Sequence, residues 1–326
     1  MRAVVIPQFG DPDVLELREV PIPRPAAGQV AIQVAYAGVN YADLMARQRG
    51  YMVEQLPFVP GYEVAGYVHA VGQGVEELHV GQPVVALTVR GGYAEFALAS
   101  AMLTFPLDQQ EQRIELTAAA GFPAVGLTAY NLLAGVARLR PGESVLIHAA
   151  AGGVGTVAAQ VARHLGAGQI IGTVGSHDKI SYALSAGYDQ VVLREDFAQA
   201  VQEARGGKGV DIVLDSVGEP TRSQSLSLLA PLGRLVVFGN AGGQPDMSFA
   251  PMSLLAGSKA IMGYSITGLT QSAPQLVAET AHKALPLLAS GEIRIDITTI
   301  LPLEQAAEAH RLMENRTATG KLLLRL

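Results

Sequence analysis

Three glycines punctuate the run His148-Ala-Ala-Ala-Gly-Gly-Val-Gly155, and few structures need such a run. A short apolar stretch, Ser144–Ile147, precedes it, and "TVAAQVARHLGA", which reads as a helix, follows it. With Ala150, Gly152 and Gly155 in the three small-residue places, the run approximates the glycine fingerprint that joins a strand to a helix at a dinucleotide site. Gly152 lets the backbone approach a pyrophosphate, and Gly155 lets the helix pack closely on the strand. The positive end of the helix beginning near Val154 then faces the phosphates. A tight strand-to-helix turn with no ligand would use the same residues.

The next strand refines the reading. "QIIGTVG" ends at Gly175, about twenty residues beyond Gly155, where a site for a free ribose 2′-hydroxyl carries Asp or Glu. The chain has Gly175-Ser176-His177-Asp178-Lys179. Gly175 leaves room, Ser176 donates a hydrogen bond and Lys179 adds positive charge. This set suits a 2′-phosphate, hence NADPH, with Asp178 as the counter-argument if the turn brings it to the ribose. Other chemistries lack their parts. There is no cysteine, which removes thiolate nucleophiles, disulfides and zinc sites that need sulfur. The histidines at 69, 79, 148, 164, 177, 282 and 310 show no zinc-ligand spacing, so no metal site is expected. His148 ends a core strand and reads as a satisfied structural residue. Ser144 and Ser216 have no triad partners.

The elements that must carry these residues follow from pattern. "MRAVVIPQFG", "VLELREVPIP", "QVAIQVAYAGV", "EVAGYVHAVGQGV", "GQPVVALTVRGG" and "AEFALAS" are short strand-like runs punctuated by Pro and Gly, with one short helix at "YADLMARQRG". They predict a compact, barrel-like β domain. Near residue 117 the pattern becomes helical, broken around Phe122-Pro123. Strands then alternate with helices at about 144–149, 170–174, 190–193, 211–215, 233–238 and 260–264, with helices at 154–166 and 178–187 among them. Six such strands make a doubly wound parallel sheet of α/β class. Two helices and two strands remain in the tail, which the sheet does not need. The expected division is 1–121, 122–264 and 265–326, the last part returning to the first.

Length and charge agree. A chain of 326 residues exceeds one ordinary core. Its net charge of −6 and its lack of a basic block speak against a nucleic-acid partner. No signal-like start and no run of about twenty consecutive apolar residues is present, so a cytoplasmic protein without a membrane anchor is expected.

Taken in order, "AGVNYADLMARQRGY", "PFVPGYEVAGYVHAVGQGV", "AVGLTAYNLL", "VLIHAAAGGVGTVAAQVARHLGA", "GTVGSHDK", "VLDSVG", "GRLVVFGN" and "ENRTATGKLLL" span nearly the whole chain. Together they resemble the zinc-independent quinone oxidoreductases of the medium-chain dehydrogenase/reductase superfamily. The resemblance implies a GroES-like catalytic domain built from both chain ends, with the dinucleotide domain inserted. It places Asn40 and Tyr41 at the nicotinamide end of the cofactor and Tyr130 against it. It puts Gly152, Gly153 and Val154 at the pyrophosphate, and Gly175, Ser176 and Lys179 at the 2′-phosphate. Ser216 and Phe238-Gly239-Asn240 bound the nicotinamide half, and Arg316 approaches from the returning tail. The family often carries tyrosine where Met45 and Leu193 stand; Arg194 beside Leu193 is a candidate replacement. Zinc-dependent relatives have Gly-His-Glu where this chain has Gly61-Tyr62-Glu63.

Without a metal, activated acceptors are the natural substrates, because a quinone or enone needs only hydrogen bonds to a developing oxyanion and a late proton. Related enoyl reductases carry a tyrosine proton donor in the loop where Tyr51 follows Gly50. Tyr51, Asn40 and Tyr41 are therefore the candidate catalytic groups. The expected function is NADPH-dependent reduction of quinones or related activated carbonyls. The alternatives are a 2-enoyl thioester or alkenal reductase, and a weakly active NADPH-binding structural or regulatory protein. A homodimer or homotetramer is expected, with "KAIMGYSIT" as an apolar sheet edge that pairs with its copy.

Overall fold

The computed structural model describes residues 1–326 except Val89, Met247, Phe249 and Ala250. In chain order the described strands begin with β1 (Arg2–Val5), β2 (Glu16–Glu19), β3 (Gln29–Val39), β4 (Glu63–Val71), β5 (Pro83–Leu87), β6 (Phe96–Ser100) and β7 (Thr104–Pro106). Next come β8 (Ser144–Ile147), β9 (Gln169–Val174), β10 (Gln190–Leu193), β11 (Val210–Asp215), β12 (Leu229–Val237) and β13 (Ala260–Gly263). The chain closes with β14 (Ile297–Pro302) and β15 (Lys321–Arg325). Two compact units result: Met1–Leu127 with Ile266–Leu326, and Thr128–Ser265.

The first unit holds a sheet in the order β14-β15-β3-β4-β5-β7, with β6 also paired to β3, and a small β1-β2 ribbon. Val30, Ile32 and Val34 alternate along β3 and enter one core with Val64, Val68, Val84, Ala86 and Leu322, as the two-residue period of a strand requires. The tail belongs here: β15 pairs antiparallel with β3, Leu322 opposite Val39 and Leu324 opposite Ala37.

The second unit is a six-stranded sheet in the order β10-β9-β8-β11-β12-β13, parallel throughout. The strand order reverses between β8 and β11, the switch point beside which ligands of doubly wound sheets bind. The central strands are apolar on both faces, as helices on both sides demand. Leu146, Ile171, Val213 and Leu235 share one core with Phe197 and Val201 of the Phe197–Ala204 helix. His148 is buried at the end of β8, with Nδ1 on the Thr173 hydroxyl at 2.9 Å and Nε2 on Ser225 at 2.7 Å. Burial holds this imidazole down to about 4, so it is neutral and structural.

One expectation needs correction. The helical run does not break at Phe122-Pro123; Leu116–Phe122 continues as π-helix over Pro123–Leu127, a short α turn, and π-helix again over Asn131–Ala137. The boundary of the units accordingly falls at Leu127/Thr128, inside this run, and not at 121/122. A proline inside a helix displaces the backbone bonding of its neighbours. Here the Ala124 N–H goes to Glu63 Oε2 at 2.7 Å, so a side chain on β4 completes what the helix leaves open. Leu116–Ala137 is long and apolar enough to cross a membrane, but 67% of its apolar window is buried within the protein, as in a core helix.

Glu63 is fully buried, and its other oxygen accepts from Lys321 Nζ at 2.5 Å and from Asn40 Nδ2 at 2.9 Å. Removing one partner of a buried pair leaves an uncompensated charge, at a cost of about 3–5 kcal/mol. Lys321→Met is expected to lower unfolding stability by that amount in a urea titration. The double variant Glu63→Gln with Lys321→Met should recover part of the loss.

Candidate functional site

In the first unit the candidate residues cluster around the helix Tyr41–Arg49. Asn40 precedes it in an extended conformation, and its backbone N–H donates to Asp43 Oδ2 at 2.9 Å, the reach-back bond of a capping box. Its side-chain amide is engaged at both ends: Nδ2 donates to Glu63, and Oδ1 accepts from Lys321 at 2.5 Å. The second N–H is held only loosely, by the Gly38 carbonyl at 3.4 Å. Gly38 is a glycine of necessity, because any Cβ there would overlap the Glu63 side chain.

Tyr41 starts the helix and is 42% exposed. The helix ends at Gly50 in the left-handed conformation, φ 69°, with its N–H on the Ala46 carbonyl at 3.1 Å. That turn delivers Tyr51, whose hydroxyl lies 2.9 Å from Thr267 Oγ1. Thr267 belongs to a tail helix, Ile266–Ser272, and carried no motif that would single it out.

Tyr62 is buried, and burial together with Asp43 and Tyr51 keeps its phenol well above the ordinary value. Asp43 also accepts the Gly61 N–H at 2.9 Å. Burial pushes its carboxyl up to about 7, against the two N–H bonds and Lys321, which favour the anion. Among the described residues no group of three or more His, Cys, Asp or Glu is arranged to hold a metal. At Gly61-Tyr62-Glu63 a phenol stands in the histidine's place and the carboxylate is spent on Lys321. Arg316 is exposed, in the left-handed region at φ 57°, beyond the helix Ala306–Glu314.

The second unit collects the remaining candidates at the carboxyl ends of its strands. After β8 the backbone turns through Ala149, which takes φ 56°, into extended Gly152 and then the helix Gly153–His164. The Gly152 N–H returns to the Ala149 carbonyl at 2.9 Å. A Cβ on Gly155 would come within 2.8 Å of the Ala150 carbonyl oxygen, so the close approach of helix and strand requires glycine. The N–H groups of Gly153, Val154 and Gly155 form the first turn, where an α-helix offers donors without internal acceptors. This cradle fits a pyrophosphate.

At the end of β9, Gly175 is exposed and a Cβ there would meet only Arg194 Nη2, at 3.7 Å. Arg194 is held beside it by its backbone N–H on the Val174 carbonyl at 2.8 Å. Ser176 and Lys179 are half-buried, and burial lowers the Lys179 ammonium. The Ser176 hydroxyl bonds the Asp178 carboxylate and holds it below the ordinary value. The structure thus brings Gly175, Ser176, Lys179 and Arg194 to one strand end.

Ser216 and Phe238-Gly239-Asn240 follow β11 and β12, which are neighbours in the sheet. The two loops are stitched together: Phe238 N–H donates to the Asp215 carbonyl at 2.9 Å, Ala241 N–H to Ser216 at 2.9 Å and Gly242 N–H to Val217 at 2.8 Å. Tyr130 is half-buried in the run ahead of β8. The sequence reading missed Asp215 and Arg222, a buried pair under these loops, as it missed Glu63 with Lys321. Pairings of this kind leave no spacing signal.

The sequence profile described as "Zinc-binding dehydrogenase" matches residues 153–282, and the one described as "Alcohol dehydrogenase GroES-like domain" matches residues 26–109. Human "Quinone oxidoreductase" is 34% identical over 332 residues, covering 100% of this chain and 98% of that protein. A Burkholderia sp protein named "2-haloacrylate reductase" is 34% identical over 331 residues, covering 99% and 98%. The crystal structure of Escherichia coli quinone oxidoreductase complexed with NADPH superposes at TM-score 0.91 with 33% identity, covering 100% of both chains.

Asp43 generates a test by pH. Its folded value of about 7 lies above the ordinary 3.8, so its contribution is complete below about pH 4 and is lost as pH rises through 7. Asp43→Asn is expected to remove a decline on the order of 2–4 kcal/mol between pH 4 and pH 8, read as the difference in urea unfolding from the parent protein.

Proposed function

The chain belongs to the quinone oxidoreductase family of the medium-chain dehydrogenase/reductase superfamily, and from that premise we propose that it is an NADPH-dependent, metal-free reductase of quinones or related activated carbonyls. The observation that carries the cofactor choice is the end of β9. There Ser176, Lys179 and Arg194 gather at an exposed glycine, and the carboxylate within that turn, Asp178, is tied to Ser176. A 2′-phosphate finds cations there, and the position just after β9 is glycine where a ribose site carries an acid. The glycine turn and the first helical turn at Gly152, Gly153 and Val154 bind the pyrophosphate. Tyr130, Ser216, Phe238, Gly239, Asn240 and Arg316 complete the cofactor contacts.

The bound dinucleotide supplies a hydride; the chain supplies orientation and a proton. Hydride addition to a quinone gives the hydroquinone anion, which then takes one proton; the Tyr51 phenol, held by Thr267, gives that proton to the acceptor oxygen and regains one from water. Asn40, fixed by Glu63 and Lys321, and Tyr41 orient the acceptor carbonyl by hydrogen bonding. The chain has no cysteine, and Tyr62 stands in Gly61-Tyr62-Glu63 where zinc-dependent relatives have histidine. A second reading, reduction of a conjugated carbon–carbon double bond, is favoured by the relative named 2-haloacrylate reductase. There the hydride goes to the β-carbon and the proton to the α-carbon. A cytoplasmic location accompanies either reading.

A homodimer is part of the proposal. β13 is an edge strand, and Leu232, Met252 and Leu255 of the same unit are each at least 68% exposed. An unpaired edge beside exposed apolar side chains is a liability that pairing with a second copy removes. Light scattering is expected to give twice the 34.1 kDa chain mass, and Leu255→Asp should shift it toward one. A monomeric parent protein overturns the dimer.

NADPH oxidation by the purified protein with a small ortho-quinone, with NADH in parallel, tests the activity. Turnover with kcat/KM for NADPH at least about tenfold above NADH is expected, with Lys179→Ala narrowing the gap. Equal rates would remove the 2′-phosphate argument. Turnover of a 2-enoyl thioester or 2-haloacrylate but not of quinone would select the second reading. Inactivity toward all of them, with NADPH still bound, would leave a binding protein.

A further inference from the structure

Arg222 lies in the helix Thr221–Leu228 with its side chain 2% exposed, and each nitrogen of its guanidinium meets a different acceptor. Nε donates to Asp215 Oδ2 at 2.6 Å, Nη2 donates to the Gly239 carbonyl at 2.6 Å, and Nη1 pairs with the Asp246 carboxylate. Asp215 uses its second oxygen to take the N–H groups of Val217 at 2.7 Å and Gly218 at 3.1 Å. One ion pair therefore holds the loop after β11, the loop after β12 and the segment that reaches Asp246. Only a guanidinium presents donors in a planar fork that serves three acceptors at once.

The bond to Gly239 reaches further than its own oxygen. In a planar trans peptide the carbonyl and the following N–H point in opposite directions. Arg222 thus fixes the Asn240 N–H facing away from itself, and that N–H has no acceptor among the described residues. Asn240 Oδ1 is buried without a donor as well. The loops have no slack: a Cβ on Gly239 would lie 3.0 Å from the Ser216 carbonyl oxygen. The Asn240 N–H stands at the carboxyl edge of adjacent parallel strands, where a doubly wound sheet receives its ligand, whereas Oδ1 lies over Gly218 and keeps the two loops in contact.

We propose that Arg222 is a positioning residue for the nicotinamide half of the dinucleotide, acting through the Gly239–Asn240 peptide and the Ser216–Gly218 loop. The proposal rests on the dinucleotide reading above. Arg222 touches no ligand; it sets the direction of the Asn240 N–H and the spacing of the two loops. Asp246, with its side chain 64% exposed, is the outer leg of the clamp. The adenosine half binds at the ends of β8 and β9, on residues that Arg222 does not contact.

Calorimetric titration with NADPH and with 2′,5′-ADP, the adenosine half alone, separates positioning from general support. Arg222→Lys keeps a cation beside Asp215 but cannot reach all three acceptors. It is expected to weaken NADPH about tenfold, the worth of one hydrogen bond to a charged group, and to leave 2′,5′-ADP within about twofold. Asp246→Ala leaves the buried pair intact and should weaken NADPH about threefold with 2′,5′-ADP unchanged. If Arg222→Lys does not fold, Asp246→Ala decides alone. Equal loss of both ligands, or no loss of NADPH, overturns the proposal. A parent protein that binds neither ligand overturns the dinucleotide reading itself, a result distinct from variants that bind as the parent does.

Discussion

A fully buried carboxylate, seated at a strand end, is the constraint on which the first unit depends. Glu63 opens β4 and is fully buried, so its charge must be met within the protein. It is met by Lys321 from the last strand, by the Asn40 amide and by the Ala124 N–H. Each partner lies on a different element: the end of β3, the start of β15 and the π-helical run. Breaking the charge balance at this point would free all three. The returning tail is in this sense required by electrostatics as well as by the pairing of β15 with β3.

The second unit repeats the device with other residues. Asp215 ends β11 fully buried, and Arg222 neutralises it from the following helix. Again one oxygen faces the cation and the other gathers backbone N–H groups. In each unit the buried pair sits under the loops that carry candidate site residues: Asn40 and its neighbours in one, Ser216 and Phe238-Gly239-Asn240 in the other. Buried pairs contribute little net stability compared with apolar packing, but they impose one geometry, because any other leaves a charge unmet. Loops that must hold a donor to within tenths of an ångström gain from that restriction.

This arrangement agrees with a reaction that asks little of the protein chemically. Hydride transfer to an activated acceptor needs aligned partners, excluded water and one proton. The chain places its buried charges under the candidate site loops, and the side chains proposed to meet ligands (Tyr41, Tyr51, Lys179, Arg194) are exposed or half-buried. Asp43, a buried carboxyl lifted toward neutrality, accepts two backbone N–H groups and so shapes the Asn40 turn and Gly61.

The sequence by itself determined whatever depends on residue type and local spacing. The glycines at 152, 153 and 155 specify a strand-to-helix turn, and Gly175-Ser176 with Lys179 specifies a strand end that lacks a ribose acid. The alternation of strands and helices specifies a parallel sheet, and the absence of cysteine limits the metal chemistry. Local signals suffice there, because the backbone conformation and the functional group lie within a few residues of each other. Only the tertiary structure decided which partners the buried charges take. Nothing near Glu63 in sequence points to Lys321, and nothing near Tyr51 points to Thr267. Nor does Pro123 reveal that its helix continues once a glutamate on another strand accepts the Ala124 N–H. Those choices belong to three-dimensional burial, which sets the penalty for an unmet charge or N–H and therefore selects the partner, whatever its distance along the chain.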